Sequence, residues 1–268
     1  MTLILLVVAT LLVTTSLLCF RKRALRQRRA PPTDWRVRLW RDIPQAGLVP
    51  VALRPIYERR IEQFLLDKRF IGCGGLIVDD DMRVAVAALA CLLVLREDEA
   101  LFPAMHSVLL YPDAFLVQHD EPDEFGLVND DPVEQIGESW QGDRVVLSWA
   151  DVLAALRGDA VNVVVHEFAH QLDDANPHSE GAPPLADYTQ WSTVMQHEYE
   201  RLRRHRRPPV FDTYGGQSPG EFFGVVSEAF IQRPVETRRH HAELYALLAS
   251  YYRLDPAQSP AGSGQASE

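Results

Sequence analysis

Residues 161–173 read Val-Asn-Val-Val-Val-His-Glu-Phe-Ala-His-Gln-Leu-Asp, and this segment carries the most specific signal in the sequence. Its valines and its spacing predict a buried helix over about residues 160–173, capped at its start by Asp159. Positions four apart lie on one helix face, so His166 and His170 can reach a single metal ion. Glu167 flanks that face, where it can act on a water molecule at the metal without being a ligand.

Two histidines and a glutamate on a buried helix are costly unless something satisfies them. A zinc ion is the partner that we predict, and other polar groups of the core are the alternative. A hydrolytic zinc site needs a third protein ligand and an open position for water. The sequence must therefore supply one more ligand outside the helix.

Two glutamates of a second predicted helix, residues 219–232, compete for that place. Glu228 is in the middle of an apolar segment, where a carboxylate needs a partner. Glu221 also fits a capping box that begins at Ser218, with Pro219 at the first helical position. Seven residues separate the two glutamates, so both can face the same side of the helix. Spacing alone slightly favours Glu228 and leaves both open.

The rest of the chain predicts an α+β domain that is mostly helical. Asp79 is expected to cap the helix that follows it, and a turn at 112–113 is expected to join two strands. Helices are predicted at about 55–66, 84–95, 151–157, 188–206 and 240–253, and strands at 107–111, 114–117 and 144–149.

Composition and charge exclude several classes of protein. The chain has 268 residues, a net charge of -10 and three cysteines, Cys19, Cys73 and Cys91, too few and too scattered for a disulfide framework. Residues 1–41 hold nine basic residues and one acidic residue, a net charge of +8 that leaves -18 for the remainder. An acidic body repels phosphate, so we expect no direct binding of nucleic acid.

Several motifs together resemble the Mlc titration factor A family of zinc metallopeptidases over about residues 35–256. They are His166 to Asp173, Pro183-Pro184-Leu185 with Trp191, the block from Tyr214 to Glu228, the strand Val145 to Trp149, and Tyr251 to Pro256. The catalytic domain of that family is similar to that of anthrax lethal factor. The resemblance therefore implies a zincin-like domain with a small mixed sheet and the zinc-binding helix beneath it.

The resemblance also implies roles for single residues. The third zinc ligand would be Glu221, seven residues after Tyr214, and Tyr214 would hydrogen-bond the oxyanion. Glu228 would then lie outside the ligand set and orient a histidine ligand. The member that gives the family its name is soluble and titrates a transcriptional repressor, a partner that is implied here by resemblance only.

The N-terminus is predicted to be a membrane anchor. Leu3 to Phe20 contains no charge and, as a helix of roughly 27 Å, is just long enough to cross a bilayer. Six cations follow at once, which predicts a cytoplasmic catalytic domain on a single-pass anchor in the bacterial inner membrane. The expected order is an anchor at 1–20, a basic linker at 21–34, the peptidase domain at 35–256 and a disordered tail at 257–268. A cleaved signal peptide, a peripheral amphipathic segment and a cytoplasmic protein are the alternatives.

The predicted function is hydrolysis of peptide bonds by a zinc-activated water, with Glu167 as general base. An aminopeptidase is one option, and the residues leave open whether cleavage is terminal or internal. The alternative function is a binding protein that sequesters a regulator and has weak or incidental peptidase activity. The other polar-flanked histidines are expected at the surface rather than at the metal; they are His178, His197, His205, His240 and His241.

Overall fold

The computed structural model describes residues 30–96, 100–113, 143–177, 180–204 and 209–258. Within these ranges the chain forms three strands and nine α-helices. The strands are β1 (Arg69–Gly72), β2 (Ser107–Tyr111) and β3 (Arg144–Ser148). The helices are α1 (Trp35–Asp42), α2 (Arg54–Asp67), α3 (Asp80–Cys91), α4 (Trp149–Leu156), α5 (Val163–Asp174), α6 (Thr189–Arg204), α7 (Pro219–Gln232), α8 (Pro234–His240) and α9 (Ala242–Tyr252).

The three strands form one sheet in the order β1-β2-β3, with both pairs parallel. Arg69 pairs with Ser107, and Ser107 pairs with Arg144. The expected mixed sheet is therefore parallel throughout the described part of the chain. Parallel neighbours need a crossover rather than a tight turn, and α3 provides it between β1 and β2.

A single set of buried apolar side chains runs from Trp35 to Ala257 and joins the helices to the sheet. Helix α3 is its centre, because every residue from Met82 to Cys91 is buried. As predicted, Asp79 caps this helix: its carboxylate accepts a hydrogen bond from the backbone nitrogen of Met82 at 2.9 Å. Helix α5 packs against α3, β3 and α7, so the His-Glu-His stretch lies between the sheet and the C-terminal helices.

The sequence prediction of the elements is right for most helices and incomplete for short ones. Helix α7 has the predicted bounds, whereas β1 was not predicted. The segment expected as one helix over 240–253 begins only at Ala242, because α8 precedes it and ends at His240. The predicted strand at 114–117 lies outside the described residues.

No helix within the described ranges is both long and apolar enough to cross a bilayer. The predicted anchor at 1–20 and most of the basic linker lie outside those ranges, as does most of the tail. The anchor therefore stays a prediction.

Candidate metal centre

The helix that carries both histidines is capped by Asn162 rather than by the predicted cap, Asp159. The side-chain oxygen of Asn162 accepts a hydrogen bond from the backbone nitrogen of Val165 at 3.1 Å, and α5 begins at Val163. The inward face of α5 is apolar, and the Phe168 ring packs against those of Phe64 and Phe102 at 5.5 and 4.7 Å between centroids. This packing fixes the rotation of α5, so His166 and His170 point toward α7.

Helix α7 begins with only half of the predicted capping box. Ser218 Oγ accepts a hydrogen bond from the backbone nitrogen of Glu221 at 3.1 Å, and Pro219 occupies the first helical position. The Glu221 carboxylate turns toward the histidines, with Oε2 3.0 Å from His166 Nε2. Ser218 thus begins the helix, and the Glu221 side chain is available for another role.

Three side chains converge on one point in the arrangement that a metal ion needs. His166 Nε2 lies 3.1 Å from His170 Nε2, and Glu221 Oε2 lies 3.6 Å from His170 Nε2. Ligand atoms of His166, His170 and Glu221 all lie within 4.8 Å of one another. Of the two competing glutamates, the structure therefore brings Glu221 to the histidines' outer nitrogens, as the resemblance implies.

Glu228 lies on the other side of the His166 ring. Its Oε1 is 2.6 Å from His166 Nδ1, and its Oε2 accepts a hydrogen bond from the backbone nitrogen of Asn162 at 2.7 Å. In the neutral ring, a proton held on Nδ1 by this carboxylate leaves on Nε2 the lone pair that a metal ion between His166, His170 and Glu221 would use. Glu228 is thus in the place from which it can orient a histidine ligand.

A glycine lets the two helices come this close. A Cβ atom at Gly224 would lie 2.7 Å from His166 Cε1 and 2.8 Å from His166 Nδ1. Contacts that short do not occur with real Cβ atoms, so only glycine fits here without moving the imidazole. The absence of a side chain at residue 224 is part of the geometry of the site.

The electrostatics of the site favour a cation. Burial alone would lower the pKa of His166, but hydrogen bonds to the carboxylates of Glu221 and Glu228 outweigh it and raise the pKa to about 10. The hydrogen bond to His166 in turn lowers the pKa of Glu221. A point where carboxylates stabilise an added proton also suits a divalent cation, and two imidazoles with one carboxylate match the ligand set of catalytic zinc. The residues present therefore fit the metal that the motif predicts.

Glu167 and Tyr214 flank the three converging side chains. Burial raises the pKa of the half-buried Glu167. The charges of Glu221 and Glu228 raise it further, whereas the nearby histidines oppose the rise. Tyr214 is carried by a short 3₁₀ helix, Thr213–Gly216, and its ring centroid lies 6.2 Å from that of His166. Burial and a hydrogen bond to the Glu221 carboxylate raise the pKa of the Tyr214 hydroxyl. Both predicted catalytic side chains thus lie at the site.

One of the histidines expected at the surface, His241, is buried. His241 is only 5% exposed, and its Nδ1 lies 2.7 Å from Glu198 Oε2, so the expectation of a surface position is wrong for it. Its ring stacks on Phe211 at 4.1 Å between centroids. His197 and His240 are exposed as expected, and His178 and His205 lie outside the described residues.

Sequence reasoning missed Asn162 and Gly224. The signal for Asn162 was present, since asparagine is a favoured helix cap directly before the valine run. Gly224 gave no local signal, because its role depends on which helix packs against it.

Comparison with known proteins extends the likeness along most of the chain. Residues 18–253 match the profile of a family described as glucose-regulated metallo-peptidase M90. A Synechocystis sp. protein named "Uncharacterized protein slr2042" is 36% identical over 247 residues, which are 88% of this chain and 89% of that protein. Mlc titration factor A of Yersinia pestis and of Yersinia pseudotuberculosis is 31% identical over 228 residues, 81% of this chain and 84% of theirs. Together with the matching motifs, these likenesses establish that the chain belongs to the glucose-regulated metallo-peptidase M90 family.

Proposed function

We propose that this protein is a zinc-dependent peptidase whose metal would be held by His166, His170 and Glu221. The observation that carries the proposal is the convergence of these three side chains next to Glu167. Membership of a metallopeptidase family supports it. When bound, zinc would polarise the scissile carbonyl and lower the pKa of a water molecule to near 7.

The chain's own residues would perform the proton transfers. Glu167 would accept a proton from the attacking water while the oxygen of that water bonds to the carbonyl carbon. The same carboxyl group would then deliver that proton to the amine nitrogen as the carbon–nitrogen bond breaks. Tyr214 would donate a hydrogen bond to the oxygen on which negative charge develops. Glu228 would keep the His166 ring in place during these steps.

The decisive experiment replaces Glu167 by glutamine in the full-length chain, because this change keeps the side chain's size and removes the base. We expect the Glu167→Gln variant to bind zinc and to fold normally. Its kcat/KM on short peptides should fall on the order of 10²- to 10⁴-fold, the usual contribution of a positioned general base. Peptides with free and with acetylated amino ends separate terminal from internal cleavage.

The name of the Yersinia relatives supports a second candidate function. A "titration factor" is a protein that sequesters another, so a binding module with incidental peptidase activity is the alternative. Under that alternative Glu167→Gln would leave binding of the partner unchanged, even where it abolishes the incidental cleavage. Cleavage by the variant at the parent's rate would put the sequestering function first.

A further inference from the structure

A cavity of about 490 Å³ opens beside the candidate metal centre. His166, Tyr214 and Glu228 form part of its lining, so the cavity adjoins the candidate metal centre where Glu228 contacts the His166 ring. The volume falls in the range of ordinary ligand sites and exceeds what one amino-acid side chain needs. A substrate held at the metal centre would therefore have this cavity next to one of its side chains.

Three segments supply apolar walls for the cavity. The start of α5 contributes Val163, the segment before Tyr214 contributes Phe211, and α7 contributes Val225 and Ala229. Phe211, Val225 and Ala229 are buried, and Val163 is half-buried. The stacking of His241 on Phe211 holds the Phe211 wall in place.

The charged groups in the lining disfavour a charged occupant. Glu228 is already occupied by His166 Nδ1 and the backbone nitrogen of Asn162, so it offers little to a cationic side chain. Arg233 adds a positive charge; its Nε is buried with no hydrogen-bond partner in the described part of the chain, and a Glu236 oxygen lies 3.8 Å away. A lysine or arginine here would be repelled by Arg233, and an acidic residue would gain from Arg233 what it loses to the Glu228 carboxylate. An apolar side chain meets neither penalty.

We propose that this cavity is the specificity pocket of the site and receives a bulky aliphatic or aromatic side chain of the residue adjoining the scissile bond. The proposal rests on the proposed peptidase function, because that function places the substrate at the metal centre. Val163, Phe211, Val225 and Ala229 would determine the preference. Leucine and phenylalanine fill the space, whereas alanine leaves most of it to water.

The test measures binding without turnover in the full-length Glu167→Gln protein. The probes are glycine pentapeptides in which one glycine, at each position in turn, is replaced by leucine, phenylalanine, alanine, lysine or glutamate. We expect the best leucine or phenylalanine peptide to bind at least about tenfold more tightly than its alanine, lysine and glutamate counterparts. Equal affinity for the leucine and alanine peptides would overturn the proposal.

A second substitution assigns the preference to this cavity. Val163→Phe should fill the cavity with the larger ring and remove the tenfold difference in affinity between the leucine or phenylalanine peptides and their counterparts. The same change at Val37, an exposed residue of α1, should leave that difference in affinity intact. Ala229→Val, a smaller filling change, should reduce the difference and serves if Val163→Phe fails to fold. Zinc content and circular dichroism are measured on the same samples. If both filling variants still prefer the leucine or phenylalanine peptides, the apolar side chain of the peptide binds outside this cavity and the proposal is wrong.

Cleavage assays with the parent enzyme separate this inference from the proposed function. Cleavage that depends on Glu167 but shows no preference for leucine or phenylalanine would overturn the pocket alone. Apolar peptides that bind through the pocket without being cleaved would overturn the peptidase alone.

Discussion

Glu228 holds His166 by the ring nitrogen that faces away from Glu221, with 2.6 Å between Oε1 and Nδ1. The imidazole thus lies between two carboxylates of the same helix, one facing each nitrogen. Because the two glutamates meet different nitrogens, their substitution should have different consequences for metal binding.

Glu221→Ala should abolish most zinc affinity, because it removes a ligand atom. Glu228→Ala should weaken zinc binding only about 10- to 100-fold, because it removes an orienting hydrogen bond. Competition with a chromophoric chelator measures both affinities, and Glu243→Ala, at an exposed glutamate of α9, is the control. The reverse order of effects would make Glu228 the ligand and Glu221 a capping residue.

Purified full-length protein should carry about one zinc ion per chain, and His170→Ala should lose it. Removing zinc should also lower Tm. A ligand at 100 times its Kd adds about 2.7 kcal/mol to the folded state, which corresponds to roughly 5–10 °C for a chain of this size. Elemental analysis and calorimetry check this prediction, with the exposed His197→Ala as control. Zinc retained by His170→Ala would contradict the site.

Tyr214→Phe should lower kcat/KM about 10- to 1,000-fold, because it removes one hydrogen-bond donor from the developing oxyanion. Zinc content should not change, since the ring remains and no ligand is lost. A loss as large as that of Glu167→Gln, accompanied by a loss of zinc, would show instead that the Tyr214 hydroxyl supports Glu221.

Glu198 and His241 predict a pH-dependent contribution to stability away from the metal centre. Burial alone would raise the pKa of Glu198, but the hydrogen bond to His241 and the charges of His241 and Arg201 outweigh it and lower the pKa below 4.5. A lowered carboxyl pKa means that the stabilisation is complete above about pH 4.5 and is lost as the pH falls through the lower value of the folded state.

Glu198→Gln should therefore destabilise the protein by roughly 1 to 3 kcal/mol at pH 7 and by less below pH 4. Denaturant unfolding at both pH values measures the difference, and Glu200→Gln, at an exposed residue of the same helix, is the control. A loss of stability that is equal at both pH values would show that the Glu198 charge is not responsible.

We propose in addition that residues 1–20 anchor the chain in the inner membrane with the catalytic domain in the cytoplasm. The full-length protein should stay in the membrane fraction at high salt, and a reporter at its C-terminus should behave as cytoplasmic. A chain lacking residues 2–20 is the matched control. Release by salt would indicate binding by the basic segment alone, and a periplasmic reporter would indicate an export signal.

Local signals explain what the sequence predicts well. The bounds of α7 follow from Ser218 and Pro219 at its start, and the convergence of His166 with His170 follows from helical spacing. Strand β1 was missed because Arg-Phe-Ile-Gly is short and ends in glycine, so only its parallel partner makes it a strand. His241 was misplaced because its polar neighbours in sequence do not reveal that Phe211 and Glu198 cover it.

Gly224 has a consequence for any survey of substitutions in this protein. A library that replaces every residue and selects for function should find residue 224 as intolerant as His166, although glycine contributes no side-chain atom to the chemistry. The intolerance should extend even to alanine, since the first added carbon already meets the imidazole. Sensitivity at residue 224 would thus report the spacing between two helices.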